Sequence, residues 1–230
     1  MRLSLETRDV GRVTIVQCNG RIVAGGESES LRTHVAWLLR DRKAIVLHLG
    51  EVGFIDSSGL GTIVRTLTST RQVHGDLKLC NVPEHVRKVL ALSHLTKLFD
   101  THESEENAVA AFYQQRHRGE TPATTGRSVL CVDCDIDVLA YLRELLRSSG
   151  YDVHTTTHLR DALILMRVTR FDLLLTGPDI TASPSARQAF QAASAKLPLI
   201  DLGSDFSTNE AGAAAAELLR KIEARLQPVA

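Results

Sequence analysis

One stretch in the first half of the chain constrains the fold more than any other. The apolar run Ala44–Leu49 predicts a buried strand. The next apolar residues follow the spacing of a helix: Leu60, Ile63, Val64 and Leu67. Asp56, Ser57 and Ser58, which lie between the two patterns, are all residue types that cap helix starts. The sequence therefore predicts a strand, a short turn and a helix that begins near the two serines.

This turn has two interpretations. Serines at a helix start are usually simple caps. A helix start also carries unpaired N–H groups and the positive end of the helix dipole, so a hydroxyl placed there can become a phosphate at low cost. Gly59 allows the backbone to pass close to a neighbouring group. A plain cap and a phosphorylation switch therefore both remain open on physical grounds.

Length and charge narrow the class of protein. The 230 residues suit two domains of about 100–120 residues each. The 27 basic and 27 acidic residues cancel and form no polybasic run, so nothing indicates nucleic acid or an anionic membrane as a partner. Because the chain shows no signal peptide and no apolar run of about 18 residues, we expect a cytoplasmic protein.

The cysteines and one histidine indicate no metal or redox site. Cys131 and Cys134 form a single Cys-x-x-Cys, with no second pair, and a strand places residues i and i+3 on opposite faces. Cys18 and Cys80 lie in apolar segments and are expected in the core. His48 lacks partners at metal-ligand spacing, so we expect a half-buried or edge-facing side chain there and no cofactor.

The first half alternates strand and helix patterns after an opening hairpin. The predicted elements are a hairpin around Asp9–Gly11, a helix over Leu31–Leu39 capped by Ser28 or Ser30, a strand over Ala44–Leu49, a helix ending near Gln72, a strand over Leu77–Val82, a helix from Pro83, a short strand at Leu98–Phe99 and a helix over Glu103–Tyr113.

Three segments in this order resemble a known family. Asp56–Gly61 (DSSGLG), Leu77–Val82 and the helix Val86–Leu92 with its following Leu98–Phe99 are similar to the motifs of STAS domains, the bacterial anti-sigma factor antagonists. The resemblance covers residues 2–115. It implies a mixed sheet with helices on one side.

The resemblance also implies a switch. In this family a partner kinase phosphorylates the second serine of the pair, here Ser58, with Ser57 as the alternative. The other switch-loop and partner-binding candidates that the resemblance implies are Asp56, Gly59, Leu60, Gly61, Gly25 and Glu27. The implied partner is an anti-sigma factor, often a serine protein kinase, and the implied protein is not an enzyme.

The second half has a different pattern. Residues 117–127 lack apolar periodicity and predict a linker. From residue 128 to about 227, strand patterns at Ser128–Asp133, Tyr151–Thr156 and Phe171–Thr176 alternate with helices, which predicts a doubly wound parallel sheet. This order resembles the receiver domain of response regulators.

Most parts of receiver chemistry are missing. A receiver accepts phosphate on an aspartate at the end of its third strand, where this chain has Gly177. A receiver also holds Mg²⁺ with two adjacent acids after its first strand. Here Asp133 remains, Cys134 replaces its neighbour, and Asp135 lies nearby. Asp179, which lies beyond the third strand, is a weak substitute for the missing phosphate acceptor. We therefore predict a shortened, degenerate receiver-like domain. Its open sheet edge would be covered by the first domain or by a second copy of the chain, as a homo-oligomer.

The leading hypothesis is an anti-sigma factor antagonist that acts by partner switching and so regulates transcription indirectly. Two alternatives stay open. One is a response regulator whose output is the STAS domain, and the other is a scaffold subunit that binds other STAS proteins.

Overall fold

The structure is a computed structural model that describes residues 2–119, 126–178, 180, 183–203 and 211–226, with the backbone alone for 115–119 and 211–214. The chain divides into two compact units, Met1–Gln115 and Arg116–Ala230. No helix in the described residues is long and apolar enough to span a membrane.

The first unit contains five strands and four helices among the described residues. They are β1 Ser4–Val10, β2 Val13–Ile22, α1 Gly26–Leu38, β3 Ala44–Ile55, α2 Ser57–Gln72, β4 Asp76–Cys80, α3 Glu84–Leu92, β5 Asp100–His102 and α4 Glu105–Gly119, the last of which continues past the end of the unit.

The strands form one mixed sheet in the order β1-β2-β3-β4-β5. β1 and β2 are an antiparallel hairpin, and each later strand pairs in parallel with its neighbour. Apolar side chains on one face of this sheet pack with those of α1, α2 and α3 in a single core. The predicted fold class, a mixed α/β sheet of the STAS type, is confirmed.

Helix α4 lies on the opposite face of the sheet. Leu77 and Leu79 of β4 point into the core with α1–α3, so Lys78 between them points the other way. The Lys78 ammonium lies 4.8 Å from the ring centre of Phe112 in α4. Three helices therefore cover one face and α4 covers the other, whereas the resemblance implied helices on one side only.

Several predicted boundaries were wrong. β3 runs to Ile55 instead of Leu49, because the end of β2 keeps pairing with it through two irregularities in register. The short strand is Asp100–His102, not Leu98–Phe99. α4 runs to Gly119, so it includes residues 117–119, which we assigned to the linker. The sequence did not predict this last turn because it is polar and lacks apolar periodicity. Residues 120–125 lie outside the described part of the chain.

The cap of α1 was also predicted wrongly. The N-cap residue is Gly25, not Ser28 or Ser30, with φ 97° and ψ −138°. Only glycine adopts these angles without strain. Ser28 instead lies inside the helix, where its hydroxyl donates to the Val23 carbonyl at 2.7 Å.

The second unit alternates strands and helices as predicted. Its described elements are β6 Ser128–Val132, α5 Ile136–Ser148, β7 Asp152–Thr156, α6 Leu159–Val168, β8 Leu173–Thr176, α7 Pro184–Ser194, β9 Leu199–Asp201 and α8 Ala211–Leu226.

All four described strands are parallel, in the order β7-β6-β8-β9. The chain steps outward from β6 to β7 and then crosses back to β8, so the order reverses between β6 and β8. Helices α5 and α8 share one apolar core with one face of this sheet. In the described part of the unit β9 is an edge strand.

Candidate functional site

The predicted switch lies where two parallel strands end. β2 and β3 run side by side to Ile22 and Ile55, which are paired in register. Each strand is followed within a few residues by a helix start, Gly26 for α1 and Ser57 for α2. The loop with Gly25 and the loop with the serines therefore lie at the same edge of the sheet.

Asp56 joins these two loops. As the N-cap of α2, it accepts a hydrogen bond from the Gly59 N–H at 2.7 Å through Oδ1. Its other oxygen, Oδ2, accepts from the Ala24 N–H at 3.0 Å. The hydrogen bond from Gly59, followed by that from Ala24, lowers the pKa of the Asp56 carboxyl. The carboxylate is therefore ionised at neutral pH and ties the α1 loop to the start of α2.

Gly59 is required by a close backbone contact. A Cβ added at this position would lie 2.0 Å from the Ile22 carbonyl oxygen and 2.7 Å from its carbon. The first turn of α2 thus packs directly against the end of β2. This is the close approach that the glycine suggested, and the neighbour is backbone, which cannot rotate away.

The other switch-loop candidates differ in accessibility. Ser57 is exposed, Ser58 is half-buried, and both lie in the first turn of α2. Leu60 is buried in the core with α1–α3, so it holds the helix in place and offers no contact surface to a partner. Gly61 is half-buried and has room for a side chain, because a Cβ there would come no closer than 3.5 Å, to the Arg65 guanidinium.

The loop candidates before α1 lie on the surface. Gly25 is exposed, and an added Cβ would meet nothing within 4 Å, so its backbone angles alone demand glycine. Glu27 is half-buried in the first turn of α1, which it shares with Glu29.

Sequence reasoning missed a row of side chains on α2. Thr62, Thr66 and Thr70 are all buried, and each hydroxyl donates to the carbonyl four residues earlier. The first of these bonds, 3.0 Å long, ends on the carbonyl of Ser58. Arg65 donates in turn to Thr62 Oγ1 at 2.8 Å. The i, i+4 spacing of the threonines was the available signal for this row.

Sequence reasoning also missed the charges beneath α4. Lys78 is fully buried, and its ammonium pairs with Asp100 and, at 3.5 Å, with Asp76. Glu105 is buried and pairs with Arg8 at 2.5 Å. His48 is half-buried as expected, with Nε2 3.9 Å from Glu105.

The two acidic residues that remain from the receiver pattern, Asp133 and Asp135, accept hydrogen bonds from backbone N–H groups. Asp133 is buried, and its Oδ1 accepts from the Asp135 N–H at 2.8 Å. Asp135 is the N-cap of α5 and accepts from Asp137 and Val138. A Cβ added at Gly177 would lie 2.0 Å from Asp133 Oδ2, so the Asp133 carboxylate fills the space beside the acceptor position. Asp179 lies outside the described residues.

The cysteine pair does not form a dithiol site. Cys131 is buried, and burial raises the pKa of its thiol to about 12, whereas Cys134 is exposed. Among the described residues, no group of three or more His, Cys, Asp or Glu side chains could hold a metal ion.

These contacts lead to a prediction for the second unit. Incubation of the full chain with acetyl phosphate and Mg²⁺ is expected to produce no acid-labile phosphoprotein, because glycine replaces the acceptor and Asp133 fills the neighbouring space. Intact mass spectrometry under neutral conditions measures the result. A stoichiometric acyl phosphate that disappears in Asp179→Asn or Asp135→Asn would contradict it and favour the response-regulator alternative.

Similarity to known proteins is concentrated in the first unit. Residues 4–108 match the family model of the STAS domain. BtrV of Bordetella bronchiseptica, named as an anti-sigma factor antagonist, is 32% identical over 99 residues, which are 43% of this chain and 85% of that protein. The anti-sigma F factor antagonist of Paenibacillus polymyxa is 31% identical over 111 residues, 47% of this chain and 94% of that protein.

Two solved structures resemble the chain more distantly. The anti-sigma factor antagonist SpoIIAA in its unphosphorylated form is 19% identical and has a TM-score of 0.39, with coverage of 51% of this chain and 100% of that one. The chemotaxis response regulator CheY4 of Vibrio cholerae is 22% identical and has a TM-score of 0.37, with coverage of 44% and 100%.

The family assignment rests on the sequence relatives and the domain model, which agree with the mixed sheet of the first unit. Since the identity to BtrV extends over 85% of that protein, the chain belongs to the STAS domain family, with anti-sigma factor antagonists among its relatives.

Proposed function

We propose that this protein is an anti-sigma factor antagonist that binds a serine-kinase anti-sigma factor and is switched by phosphorylation of Ser58. The proposal extends to this chain what the names of its relatives say of them. The observation that carries it is the position of Ser58 in the first turn of α2, where Asp56 holds the helix start against the neighbouring loop.

A phosphate on Ser58 changes the surface more than the fold. It adds a charge of about −1.5 to −2 at neutral pH. The helix start favours negative charge, so the fold tolerates the modification. A partner that docks on the two loops meets a new dianion beside Asp56, and its binding is weakened. Unphosphorylated chain then captures the anti-sigma factor, and phosphorylated chain releases it.

The second unit is an interaction module in this proposal. Its parallel sheet has the strand order of a receiver, but Gly177 removes the acceptor and Asp133 closes the adjacent space. It therefore contributes binding instead of phosphotransfer. The strand β9, which is an edge strand among the described residues and has Leu199 37% exposed, is the surface through which two copies associate.

The test uses the full chain with each serine-kinase anti-sigma factor of the host cell. Ser58→Asp is expected to weaken binding by at least about tenfold while the melting temperature changes by only a few degrees, because the helix start accommodates the charge. Ser58→Ala is expected to bind and to resist phosphorylation. Calorimetry, thermal unfolding and phosphosite mass spectrometry give the three results.

The matched control is Ser57→Ala, which changes the exposed neighbour in the same turn. This variant should still be phosphorylated on Ser58. Phosphate found on Ser57, or on no residue of this loop in the presence of a bound kinase, would refute the assignment of Ser58.

A further inference from the structure

One cation on α2 lies in line with Ser58. Ser58, Thr62 and Arg65 occupy positions i, i+4 and i+7, which lie on the same face of a helix. Arg65 Nη2 is 2.8 Å from Thr62 Oγ1, and that hydroxyl is 3.0 Å from the Ser58 carbonyl. The guanidinium is therefore within about 6 Å of the Ser58 backbone.

The side chain of Arg65 is already directed toward the helix start. Long side chains on a helix point back toward its N-terminus. Here the guanidinium reaches back over Gly61, where an added Cβ would lie 3.5 Å from Arg65 Nη1. Because Gly61 has no side chain, the space between the guanidinium and the first turn is not blocked by that residue.

Two other arginines, one on α2 and one on α1, lie beside carboxylates, and Arg65, among the described residues, does not. Arg71 of the same helix lies 3.5 Å from Asp76, and Arg32 on α1 pairs with Glu29. In the described part of the chain, Arg65 forms no ion pair and is exposed, with its hydrogen bond going to a neutral hydroxyl. A small change of side-chain rotamer can therefore move it to an anion without breaking a salt bridge.

We propose that Arg65 is the counter-charge of phosphorylated Ser58, with its guanidinium leaving Thr62 Oγ1 for the phosphate oxygens. This inference rests on the proposed function, which assigns the phosphate to Ser58. The planar fork of arginine matches phosphate oxygens in pairs. Its positive charge also offsets the repulsion between the phosphate and the ionised Asp56, which lies at the same helix start.

The test measures the second pKa of the phosphate by ³¹P NMR. Phosphoserine is incorporated at position 58 of the full chain during translation, so no kinase is needed. A cation about 5 Å away in water lowers this pKa by about 0.5 unit. The pKa is therefore expected to rise by about that amount in Arg65→Gln, and the difference should vanish in about 1 M salt.

Matched variants separate this contact from a general effect of charge. Arg71→Gln removes the same charge from the far end of α2 and is expected to leave the phosphate pKa unchanged. Arg65→Lys keeps the charge but loses the fork, and should recover part of the shift. With phosphoserine at position 57, which is off the row and farther from the guanidinium, Arg65→Gln should have a smaller effect.

Two results would overturn the proposal. The first is an identical phosphate pKa in the parent protein and Arg65→Gln at low salt. The second is an equal rise in Arg65→Gln and Arg71→Gln. A kinase that never modifies Ser58 would refute the proposed function instead, because the phosphoserine of this experiment is independent of any kinase.

Discussion

Replacement of Gly59 by alanine is expected to lower the free energy of unfolding of the first unit by about 3 kcal/mol. The new Cβ would lie 2.0 Å from the Ile22 carbonyl oxygen and 3.0 Å from the Ile22 side chain. Since the obstacle is the backbone of β2, the start of α2 must move away from the sheet. The hydrogen bonds that Asp56 makes to Gly59 and Ala24 would be strained by the same movement.

The chain offers a matched control two residues away. Gly61→Ala places a Cβ in the same helix, but its closest neighbour is the end of the flexible Arg65 side chain at 3.5 Å. Alanine is favoured over glycine inside a helix by about 0.5–1 kcal/mol, so this variant is expected to be neutral or slightly stabilised. The single tryptophan, Trp37, lies in α1, so its fluorescence during urea unfolding reports on the first unit. Equal stabilities of the two variants would show that the Ile22 contact is not tight.

Removal of the Asp100 carboxylate is the second change with a large expected effect. The Lys78 ammonium, which is fully buried between the sheet and α4, pairs with Asp100, with the more distant Asp76 and with the Phe112 ring. Asp100→Ala leaves a buried charge with its weaker partners. Loss of one partner of a buried pair costs about 3–5 kcal/mol, and the Asp100 side chain is 48% exposed, so we expect about 2 kcal/mol.

Two variants test this expectation by the same unfolding measurement. Glu84→Ala removes an exposed carboxylate 3.9 Å from Lys88 and is expected to change stability by less than about 0.5 kcal/mol. Asp100→Ala combined with Lys78→Met removes both charges and should recover most of the loss, because methionine keeps the apolar stem. No recovery in the double variant would mean that Asp100 acts through another contact.

The same pair predicts how stability depends on pH. Burial on its own would raise the pKa of the Asp100 carboxyl, but the hydrogen bond and charge of Lys78, together with His102, outweigh it and lower the pKa. A carboxyl with a lower pKa in the folded state stabilises the fold above its unfolded pKa of about 3.9. That contribution is lost as the pH falls through the folded value, and Asp100→Ala should lack this part of the acid sensitivity.

Local patterns in the sequence determined the element types and the position of the serine loop. The step from an apolar run to helical spacing, with Asp56 before the serines, located the start of α2, because a cap and a hydrophobic period are both properties of neighbouring residues. The strand–helix alternation after residue 128 likewise determined a parallel sheet. For the family, three local motifs, DSSGLG among them, carried the resemblance, and the domain model and relatives agree with it.

Only the tertiary structure decided the features that depend on contacts between residues far apart in the sequence. β3 extends to Ile55 because β2, more than 30 positions earlier, continues beside it. Lys78 lies in an apolar strand. It is buried because α4, which follows later in the chain, packs Phe112 over it and because Asp100 is its neighbour on the adjacent strand. Asp133 fills the space at Gly177 because parallel pairing brings the ends of β6 and β8 together. The sequence by itself determined the types and the order of the helices and strands, since periodicity is a local property. Contacts between distant segments exist only once the chain has folded.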